Sequence, residues 1–144
     1  MGNGIFLADS IGKKTLRELG VLLEQWLGRR VTLTPERYRD VVRHSHWLVV
    51  RDTRQDKKII AMATLVPVYV PVGLYGRVQS MVVHRDFQGR GLEERMLEKL
   101  VAKARSEGMS YLVADEPAND FDREPYRKFG FFLANDRRVL QFEL

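Results

Sequence analysis

At its centre the chain reads Met81-Val-Val-His-Arg-Asp-Phe-Gln-Gly-Arg-Gly-Leu92, an apolar run followed by a Gln-Gly-Arg-Gly turn. A strand, a glycine turn and a helix in this order present backbone N–H groups and the positive end of a helix dipole to a phosphate. The turn therefore predicts an anion-binding site at the start of a helix. That helix has one apolar face at the 3.6-residue period, made of Leu92, Met96, Leu97, Leu100, Val101 and Ala104.

Length and composition predict one domain, residues 1–144, because a chain with 44% hydrophobic residues can bury a sizeable core. No apolar run reaches the roughly 20 residues of a membrane span, and the first residues carry no basic-then-apolar signal. We therefore expect a cytoplasmic protein with no membrane partner. The chain has no cysteine, which excludes disulfides, thiolate metal sites and a cysteine nucleophile.

The formal net charge of +5 favours an anionic partner, such as a nucleotide-bearing cofactor, a phosphorylated metabolite or RNA. The basic residues concentrate before and within a predicted second helix. A solvated helix face is the simplest interpretation of this cluster, which consists of Arg29, Arg30, Arg37, Arg39 and Arg43.

Apolar periodicity and capping residues predict four helices. One ends at Gly28, with Thr15 and Glu18 as a capping box unless the helix begins earlier. The second begins at Thr34-Pro35 and runs to about Ser45, the third follows the glycine turn to about Glu107, and the fourth covers Asp122–Phe129. We expect the first helix to bury Leu16, Leu19, Leu22, Leu23, Trp26 and Leu27.

The predicted strands are short and alternate with these helices, which indicates a mixed α/β sheet with helices on both faces. From Val66 to Gly76, two prolines that cannot donate to a ladder, Pro67 and Pro71, predict an apolar connection rather than a strand. It would cover the core, contact a second copy of the chain in a homodimer, or line a pocket. The predicted strands are Ile5–Ala8, His46–Arg51, Lys58–Val66, Arg77–Val83, Tyr111–Asp115, Phe131–Ala134 and Arg138–Phe142.

Two motifs, in order, carry a resemblance to a known family. The first is Gln88-Gly89-Arg90-Gly91-Leu92-Glu93, which fits the pattern [Arg/Gln]-x-x-Gly-x-[Gly/Ala] except at its last position. The second is Asn119 placed seven residues before Tyr126, followed by Arg127-Lys128 and Gly130-Phe131. With these motifs, about residues 46–142 resemble the GNAT superfamily of acyl-CoA-dependent N-acyltransferases.

The resemblance implies a central, mostly antiparallel mixed sheet of about seven strands, with acetyl-CoA as acyl donor and no metal. Backbone groups of Met81, Val82 and Val83 would pair with the pantetheine amides. The turn that begins at Gln88 would hold the pyrophosphate with its backbone amides, and Arg90 would lie beside the anion. The amides concerned are those of residues 89–93, which include Gly89, Gly91, Leu92 and Glu93.

The resemblance also implies the catalytic groups. Tyr126 would act as a hydrogen-bonding acid for the leaving thiolate, because its unperturbed pKa of about 10, above the value of about 8.5 for a thiol, keeps it un-ionised at neutral pH. The alternative for Tyr126 is a packed core tyrosine. Asn119 would bond the cofactor or hold its loop, and simple helix capping is the alternative.

Three residues depart from the family pattern. Glu93 replaces a small residue next to the pyrophosphate, although it could turn outwards and favour the helix dipole. Gln79 occupies the position where one GNAT branch has the Glu that handles the amine proton, and a glutamine can orient a water but cannot accept a proton. Pro125 should delay the start of the fourth helix to residues 122–124.

Other groups would then have to accept the amine proton. His44, His46 and Asp115 are the candidates, each with a structural role as the alternative. His44 and His46 do not form a metal pair, because residues two apart on a helix do not face one another. His84, just before the turn, is expected to be exposed.

We therefore expect an N-acetyltransferase that moves an acetyl group from acetyl-CoA to a primary amine of a small molecule or peptide. The arginines of the first two helices favour acceptors that carry a carboxylate or phosphate over polyamines. One alternative is a non-catalytic CoA-binding or regulatory protein. Another is a toxin that acetylates aminoacyl-tRNA, but the chain lacks the aromatic interleaving of specific RNA readers, so we do not expect a nucleic-acid partner.

Overall fold

The computed structural model describes residues 4–54, 57–115, 120–133 and 139–144 of the chain. The helices are α1 (Lys13–Leu27), α2 (Pro35–His44), α3 (Leu92–Ser106) and α4 (Asp120–Phe129). The strands are β1 (Gly4–Phe6), β2 (His46–Arg51), β3 (Ile59–Val70), β4 (Gly73–Val83), β5 (Tyr111–Asp115), β6 (Phe132–Leu133) and β7 (Val139–Glu143). A 3-10 turn, Arg85–Phe87, links β4 to the glycine turn.

The strands form one mixed sheet in the order β1-β2-β3-β4-β5-β7-β6. Neighbouring strands are antiparallel except β4 and β5, which run parallel and are joined through α3. The predicted mixed, mostly antiparallel sheet is therefore confirmed. A parallel pair needs a crossover connection, and the helix after the glycine turn supplies it.

Helices cover both faces of the sheet, as the sequence predicts. In β2, Leu48 and Val50 belong to the larger core cluster with α3, whereas Trp47 and Val49 belong to a second cluster with α1 and α2. Successive residues of a strand point to opposite faces, so this alternation places α1 and α2 on one side and α3 on the other. Burying both faces against helices is why these strands are almost continuously apolar.

The apolar face of α3 is confirmed in full, since all six predicted residues are buried. The prediction for α2 is also confirmed: Thr34 Oγ1 accepts a hydrogen bond from Arg37 N at 3.1 Å, and Pro35 is the first helical residue. Both outcomes follow from local chemistry, because a cap and a 3.6-residue period act within a few residues.

The prediction for α1 is partly wrong. The helix begins at Lys13 after Gly12, without a side-chain cap, so Thr15 and Glu18 do not form the predicted box. Glu18 Oε1 instead lies 3.8 Å from Arg51 Nη1 of β2. Leu19 and Leu22 are buried as predicted, but Trp26 and Leu27 are 47% and 42% exposed because they lie at the end of the helix.

The apolar connection predicted between Val66 and Gly76 is wrong, because β3 continues through Pro67 to Val70 and turns into β4. Pro67 pairs with Gly76 across this hairpin. The pairing of β2 with β3 extends only to His46, opposite Leu65, so at Pro67 the strand β3 pairs with β4 alone. The missing N–H of Pro67 therefore costs little there. The exposed residues of this hairpin include Tyr69 and Val72, at 78% and 96%.

The prediction that Pro125 delays α4 is also wrong. The helix begins at Asp120 and contains Pro125 in its interior. A proline there has no N–H for the carbonyl four residues earlier, a defect that typically costs about 3 kcal/mol. The helix ends at Gly130, whose φ of 119° lies in the region that favours glycine. In the residues that the structure describes, we find no helix with the length and apolar character needed to cross a bilayer.

Candidate active site

The site begins where the parallel strands β4 and β5 separate. Their pairing ends with Val78 beside Ala114, although β4 continues to Val83. Beyond that point the β5 side of β4 borders a cleft of about 1040 Å³. One residue of β5 also lines it, Asp115 at the carboxyl end of the strand. Open α/β sheets bind ligands at the carboxyl ends of such diverging strands.

A β-bulge shapes the floor of the cleft. Met62 pairs with Val82 and Thr64 with Gln79, so β4 has one more residue than β3 between these pairs. Ser80, inside the bulge, has a φ of 53°, a value that is uncommon for a residue with a side chain. Such bulges bend a strand and redirect its groups, and they are frequent beside active sites. Here the bulge lies between Gln79 and the predicted pantetheine segment.

The register of β4 shows which backbone groups face the cleft. His84 N donates to Ile60 O at 2.7 Å, so His84 and Ile60 form a hydrogen-bonded pair. The next pair, Val83 and Ala61, is then a non-bonded one, and Val83 directs its own N–H and C=O away from β3. Val83 therefore directs its backbone to the cleft side, where its N–H faces the predicted position of the pantetheine and its C=O accepts a hydrogen bond from a side chain of α1.

One side chain that sequence reasoning missed contacts this backbone. Gln25 of α1 donates from Nε2 to Val83 O at 2.7 Å and accepts from Arg85 N at Oε1 at 3.0 Å. Gln88 Nε2 lies 3.5 Å from the same Val83 oxygen. In the sequence, the feature that could have pointed to Gln25 is its place next to Trp26, at the end of the apolar face of α1. The partner atoms, 58 and 60 residues away, could not be read from it.

The glycine turn forms the other end of the cleft. Gly89 and Gly91 have φ values of 76° and 75°, a conformation that only glycine adopts without strain. Gly91 is the N-cap of α3 and has no side chain that could accept a bond from the first amides of the helix. A Cβ on Gly89 would meet no atom within 4 Å, so the space beside it is open. These features fit an anion at the helix start.

The predicted site residues divide into four groups. Most line the cleft, and these are Gln79, Met81, Val82, Val83, Gln88, Gly89, Gly91, Glu93 and Tyr126. Leu92 is fully buried in the core and could contribute only its backbone amide. The Arg90 guanidinium lies 5.0 Å from the centre of the Phe87 ring, which places its charge beside the turn. Asn119 lies outside the described residues.

Tyr126 reaches the cleft from α4 and is 8% exposed. Its ring packs edge-to-face on Phe131, with centroids 5.3 Å apart and planes at 87°. Gly130 N and Phe131 N both donate to Tyr126 O, at 3.1 and 2.9 Å, which fixes the helix end below the ring. The predicted motif of Tyr126, Gly130 and Phe131 is therefore a packed unit that holds the tyrosine at the cleft.

Comparison with known proteins identifies the family. Residues 16–131 match the sequence pattern of the Acetyltransferase (GNAT) family, well over half of the chain. The protein is a member of the GNAT acetyltransferase family. Among curated proteins, no sequence matches it significantly.

Solved structures share this GNAT fold. A ribosomal-protein-alanine N-acetyltransferase from Brucella melitensis biovar Abortus 2308 has a TM-score of 0.71 at 23% identity, over 93% of this chain and 94% of that one. A predicted acetyltransferase with acetyl-CoA from Clostridium acetobutylicum gives 0.70 at 18%, over 94% and 92%. Glucosamine-6-phosphate N-acetyltransferase from Arabidopsis thaliana gives 0.73 at 16%, over 94% of each chain.

Charged groups around the GNAT cleft limit the choice of proton acceptor. Asp115 lines the cleft, with Oδ1 3.2 Å from Arg77 Nη2, and Glu124 lines it with Oε2 3.5 Å from Arg127 Nη1. His46 lies elsewhere, its Nε2 3.4 Å from Glu107 Oε1, and burial lowers its pKa. Of the three predicted acceptors, the structure therefore brings only Asp115 into the described lining of the cleft. His44 Nδ1 bonds Asp40 O at 2.8 Å on α2.

The arginine cluster does not border this GNAT cleft. The described lining residues include none of the five, which are Arg29, Arg30, Arg37, Arg39 and Arg43. The charged residues that do line the cleft are Arg85, Glu93, Glu94, Asp115, Glu124 and Lys128. The basis for predicting an anionic acceptor is therefore absent from the described lining. Arg37, Arg39 and Arg43 lie on α2, and Arg29 and Arg30 lie in the connection from α1 to α2.

The prediction that His84 is exposed is wrong, since 8% of the residue is accessible. Its Nδ1 accepts a hydrogen bond from Asp86 N at 3.2 Å and so caps the 3-10 turn before the glycines. Burial, helped by Lys58, lowers the pKa of His84 and outweighs the attraction of the Asp86 carboxylate. Within the described ranges, no cluster of three His, Cys, Asp or Glu side chains could hold a metal ion.

Proposed function

We propose that this protein transfers an acetyl group from acetyl-CoA to a primary amine of a small molecule or peptide, by direct attack in a ternary complex. One observation carries the proposal: a cleft runs from the glycine turn at the N-terminus of α3, along the backbone of β4, to Tyr126. The order of these parts matches that of acetyl-CoA: an anion site for the pyrophosphate, a strand edge for the pantetheine arm and a phenol for the thioester.

The residues for holding the donor are present. The turn from Gly89 to Gly91 and the start of α3 would bind the pyrophosphate, with Arg90 adding positive charge. The cleft-facing N–H of Val83 would donate to a pantetheine carbonyl, as in strand pairing, while the Val83 C=O accepts from Gln25 Nε2. Bound acetyl-CoA supplies a thioester carbonyl that an amine can attack. Glu93 opposes an anion, but as the second residue of α3 it also favours the helix dipole.

Tyr126 is our candidate for the group that stabilises the leaving thiolate. A phenol with an unperturbed pKa of about 10 keeps its proton at neutral pH and can donate a hydrogen bond to the departing sulfur, and the proton that the amine releases replaces the one the thiolate finally takes up. Burial of the ring against Phe131 holds the hydroxyl in a fixed position. Fixed orientation of reacting groups is a large part of the catalysis expected from such a site.

Asp115 is our candidate for the acceptor of the amine proton, directly or through a water. Its carboxylate lies at the end of β5, where the strands separate, and Arg77 orients it. Gln79 cannot accept this proton, but its exposed side chain lines the same region and can hold the amine or a water by hydrogen bonds. The two residues together replace the function that a glutamate at position 79 would provide.

The first test is thermal unfolding with and without acetyl-CoA, with adenosine diphosphate as a control for simple phosphate attraction. Ligand at 100 times its dissociation constant stabilises a protein by about 2.7 kcal/mol, which corresponds to a rise of about 5–10 °C for a domain of this size. A shift specific to acetyl-CoA leads to a thiol-release assay with amino acids, peptides and amino sugars. The absence of any shift at millimolar acetyl-CoA would refute the proposal.

The second candidate is a CoA-binding regulatory protein without catalysis, and Gln79 at the position of a missing base favours it. This candidate predicts that the wild type binds acetyl-CoA but releases no thiol with any amine. The combined substitutions Gln79→Glu and Glu93→Gly should then create turnover. Measurable turnover by the wild type would exclude this candidate.

A further inference from the structure

The last turn of α1 borders the part of the cleft between β4 and the glycine turn, where the proposed acyl donor would lie. Gln25 and Trp26 both line the cleft. The Trp26 side chain is 47% exposed, although the amphipathic pattern of α1 predicted it to be buried. A large indole left exposed inside a concave cleft is a surface that a ligand can cover with a gain in free energy.

Gln25 fixes the position of this turn. Its amide donates to Val83 O at 2.7 Å and accepts from Arg85 N at 3.0 Å, so both polar ends of the side chain are bonded to backbone. Asparagine and glutamine side chains are the ones that offer a donor and an acceptor on one planar group. The two bonds tie α1 to the end of β4 and to the turn that follows it. Trp26, the next residue, is thereby held beside the same segment.

The contacts of Gln25 also locate Trp26 along the cleft. Val83 and Arg85 lie between the bulge at Ser80 and the glycine turn at Gly89. A strand advances about 3.3 Å per residue, so Gln79 lies on the order of 10 Å back along β4 from Val83. The Gln25 anchor therefore lies between the reacting end of the cleft and the anion site, on the glycine-turn side of the bulge. The part of the donor that crosses this region is the pantetheine arm, which has apolar methyl groups beside its amides.

We propose that Trp26 is a donor-binding residue whose indole packs on the apolar part of the pantetheine arm. In this proposal Gln25 is a positioning residue that acts through Trp26 and the end of β4. The inference rests on the proposed function, because it requires that acetyl-CoA occupies the cleft. With this contact, α1 would bind the donor from one side, and β4 and the glycine turn would bind it from the other.

The chain offers a direct optical readout. It has two tryptophans, and Trp47 is 3% exposed in the core, so a ligand in the cleft should change mainly the emission of Trp26. Adding CoA should quench the wild-type emission in a saturable way and shift it to shorter wavelength. The Trp26→Phe variant should lose this change while it still gains thermal stability from CoA.

Affinity measured by calorimetry gives the second readout. Losing the contact in Trp26→Ala should weaken CoA binding about tenfold, the effect of exposing some 50–60 Å² of apolar surface, and Trp26→Phe should recover most of it. Steady-state kinetics should show a raised KM for acetyl-CoA with kcat nearly unchanged. Val21→Ala is the matched control, since Val21 is 48% exposed on the same helix and is not among the described lining residues.

Gln25→Glu tests the positioning role, because a carboxylate cannot donate to Val83 O. It should weaken CoA binding, and its combination with Trp26→Ala should lose less affinity than the sum of the two single effects. Additive losses would contradict a role of Gln25 through Trp26.

The outcomes separate the two proposals. A wild type that does not bind CoA refutes the proposed function and this inference together. A wild type that binds, with Trp26→Ala binding equally well, overturns the inference alone. If Trp26→Ala raises only the KM of the amine, the indole contacts the acceptor, and the assignment to the donor arm is wrong.

Discussion

Thr64 Oγ1 donates a hydrogen bond to the carbonyl oxygen of Gln79 at 2.9 Å, from β3 to the residue that precedes the bulge in β4. Thr64 is 7% exposed, whereas Gln79 is exposed on the cleft, so the bond is partly buried. A bulge interrupts the regular ladder at this point, and the hydroxyl supplies a bond where the backbone pairing shifts its register. The bond therefore helps to fix the site where β4 turns towards the cleft.

Thr64→Val removes this hydroxyl and keeps the shape of the side chain. We expect the free energy of unfolding to fall by about 1 kcal/mol, because the Gln79 carbonyl loses a partly buried hydrogen bond. Urea unfolding measures the change. Thr64→Ser, which retains the hydroxyl, should keep the bond, and a valine variant as stable as wild type would show that the bond contributes nothing.

Tyr126→Phe removes the phenolic hydroxyl and leaves the ring against Phe131. We expect kcat to fall by roughly 100-fold or more, the usual size of a lost acid–base group, with the KM for acetyl-CoA little changed. Tyr111→Phe is the matched control, since Tyr111 stacks on Tyr75 with centroids 5.0 Å apart and is outside the described cleft lining. Equal turnover in both variants would leave Tyr126 with a packing role.

Gly89→Ala tests the anion site against a control with the same backbone strain. Gly89 and Gly108 have φ values of 76° and 77°, and a Cβ on either would meet no atom within 4 Å. Both alanine variants should therefore lose about 1–2 kcal/mol of stability. Only Gly89→Ala should also weaken acetyl-CoA binding, as measured by calorimetry, because its Cβ projects beside the turn. Equal binding by the two variants would remove the turn from the site.

Asp115→Asn removes the proposed proton acceptor and keeps a group that can contact Arg77. Turnover should fall at least tenfold, within the range of a lost general base, whereas stability should change by less than about 0.5 kcal/mol because the pair is solvent-exposed. Glu124→Gln, at the other carboxylate near Tyr126, is the control and should retain turnover. A reversed result would assign the proton to Glu124.

His84 should make the protein less stable in mild acid. Burial lowers the pKa of its imidazole in the folded state, so the unfolded chain takes up a proton first as pH falls below its ordinary value of about 6.5. The stability that neutral His84 contributes is present above that value and is lost as pH falls towards the lowered folded pKa. Protonated Nδ1 also cannot accept the bond from Asp86 N.

His84→Asn keeps an acceptor for this cap and removes the titration. We expect the loss in free energy of unfolding between pH 7.5 and pH 5 to be smaller in this variant than in wild type. Urea unfolding at several pH values measures it. A residual dependence of the same sign is expected from His46, whose pKa burial also lowers. Identical pH dependence in variant and wild type would refute the role of His84.

Local patterns predicted the elements that depend on local chemistry. The cap at Thr34 and the apolar face of α3 act over a few residues, and both have the predicted form. The glycines of the turn have positive φ values because their sequence neighbours demand a sharp change of direction. Tyr126 was found through its spacing to Gly130 and Phe131, which pack directly on it.

The errors concern residues whose environment is set by distant elements. Periodicity predicted that Trp26 shares a face with Leu22, but the sheet beneath α1 decides that Leu22 is buried and Trp26 borders a cleft. Pro67 is tolerated in β3 because the pairing with β2 stops at Leu65, so no strand on that side needs its N–H. Gln25 makes its two bonds to atoms 58 and 60 residues away, so no window of sequence contains the pair.

The sequence by itself determined the family, the helix that follows the glycine turn, and the residues able to hold an anion or donate a proton. Only the tertiary structure decided which groups share the cleft: Gln25, Trp26 and Asp115 enter it, while His46 and the arginines of α2 do not belong to its described lining. The physical reason is range. Backbone sterics, capping and helical period act between near neighbours, whereas membership of a site depends on the order and extent of strands that pair across the whole chain.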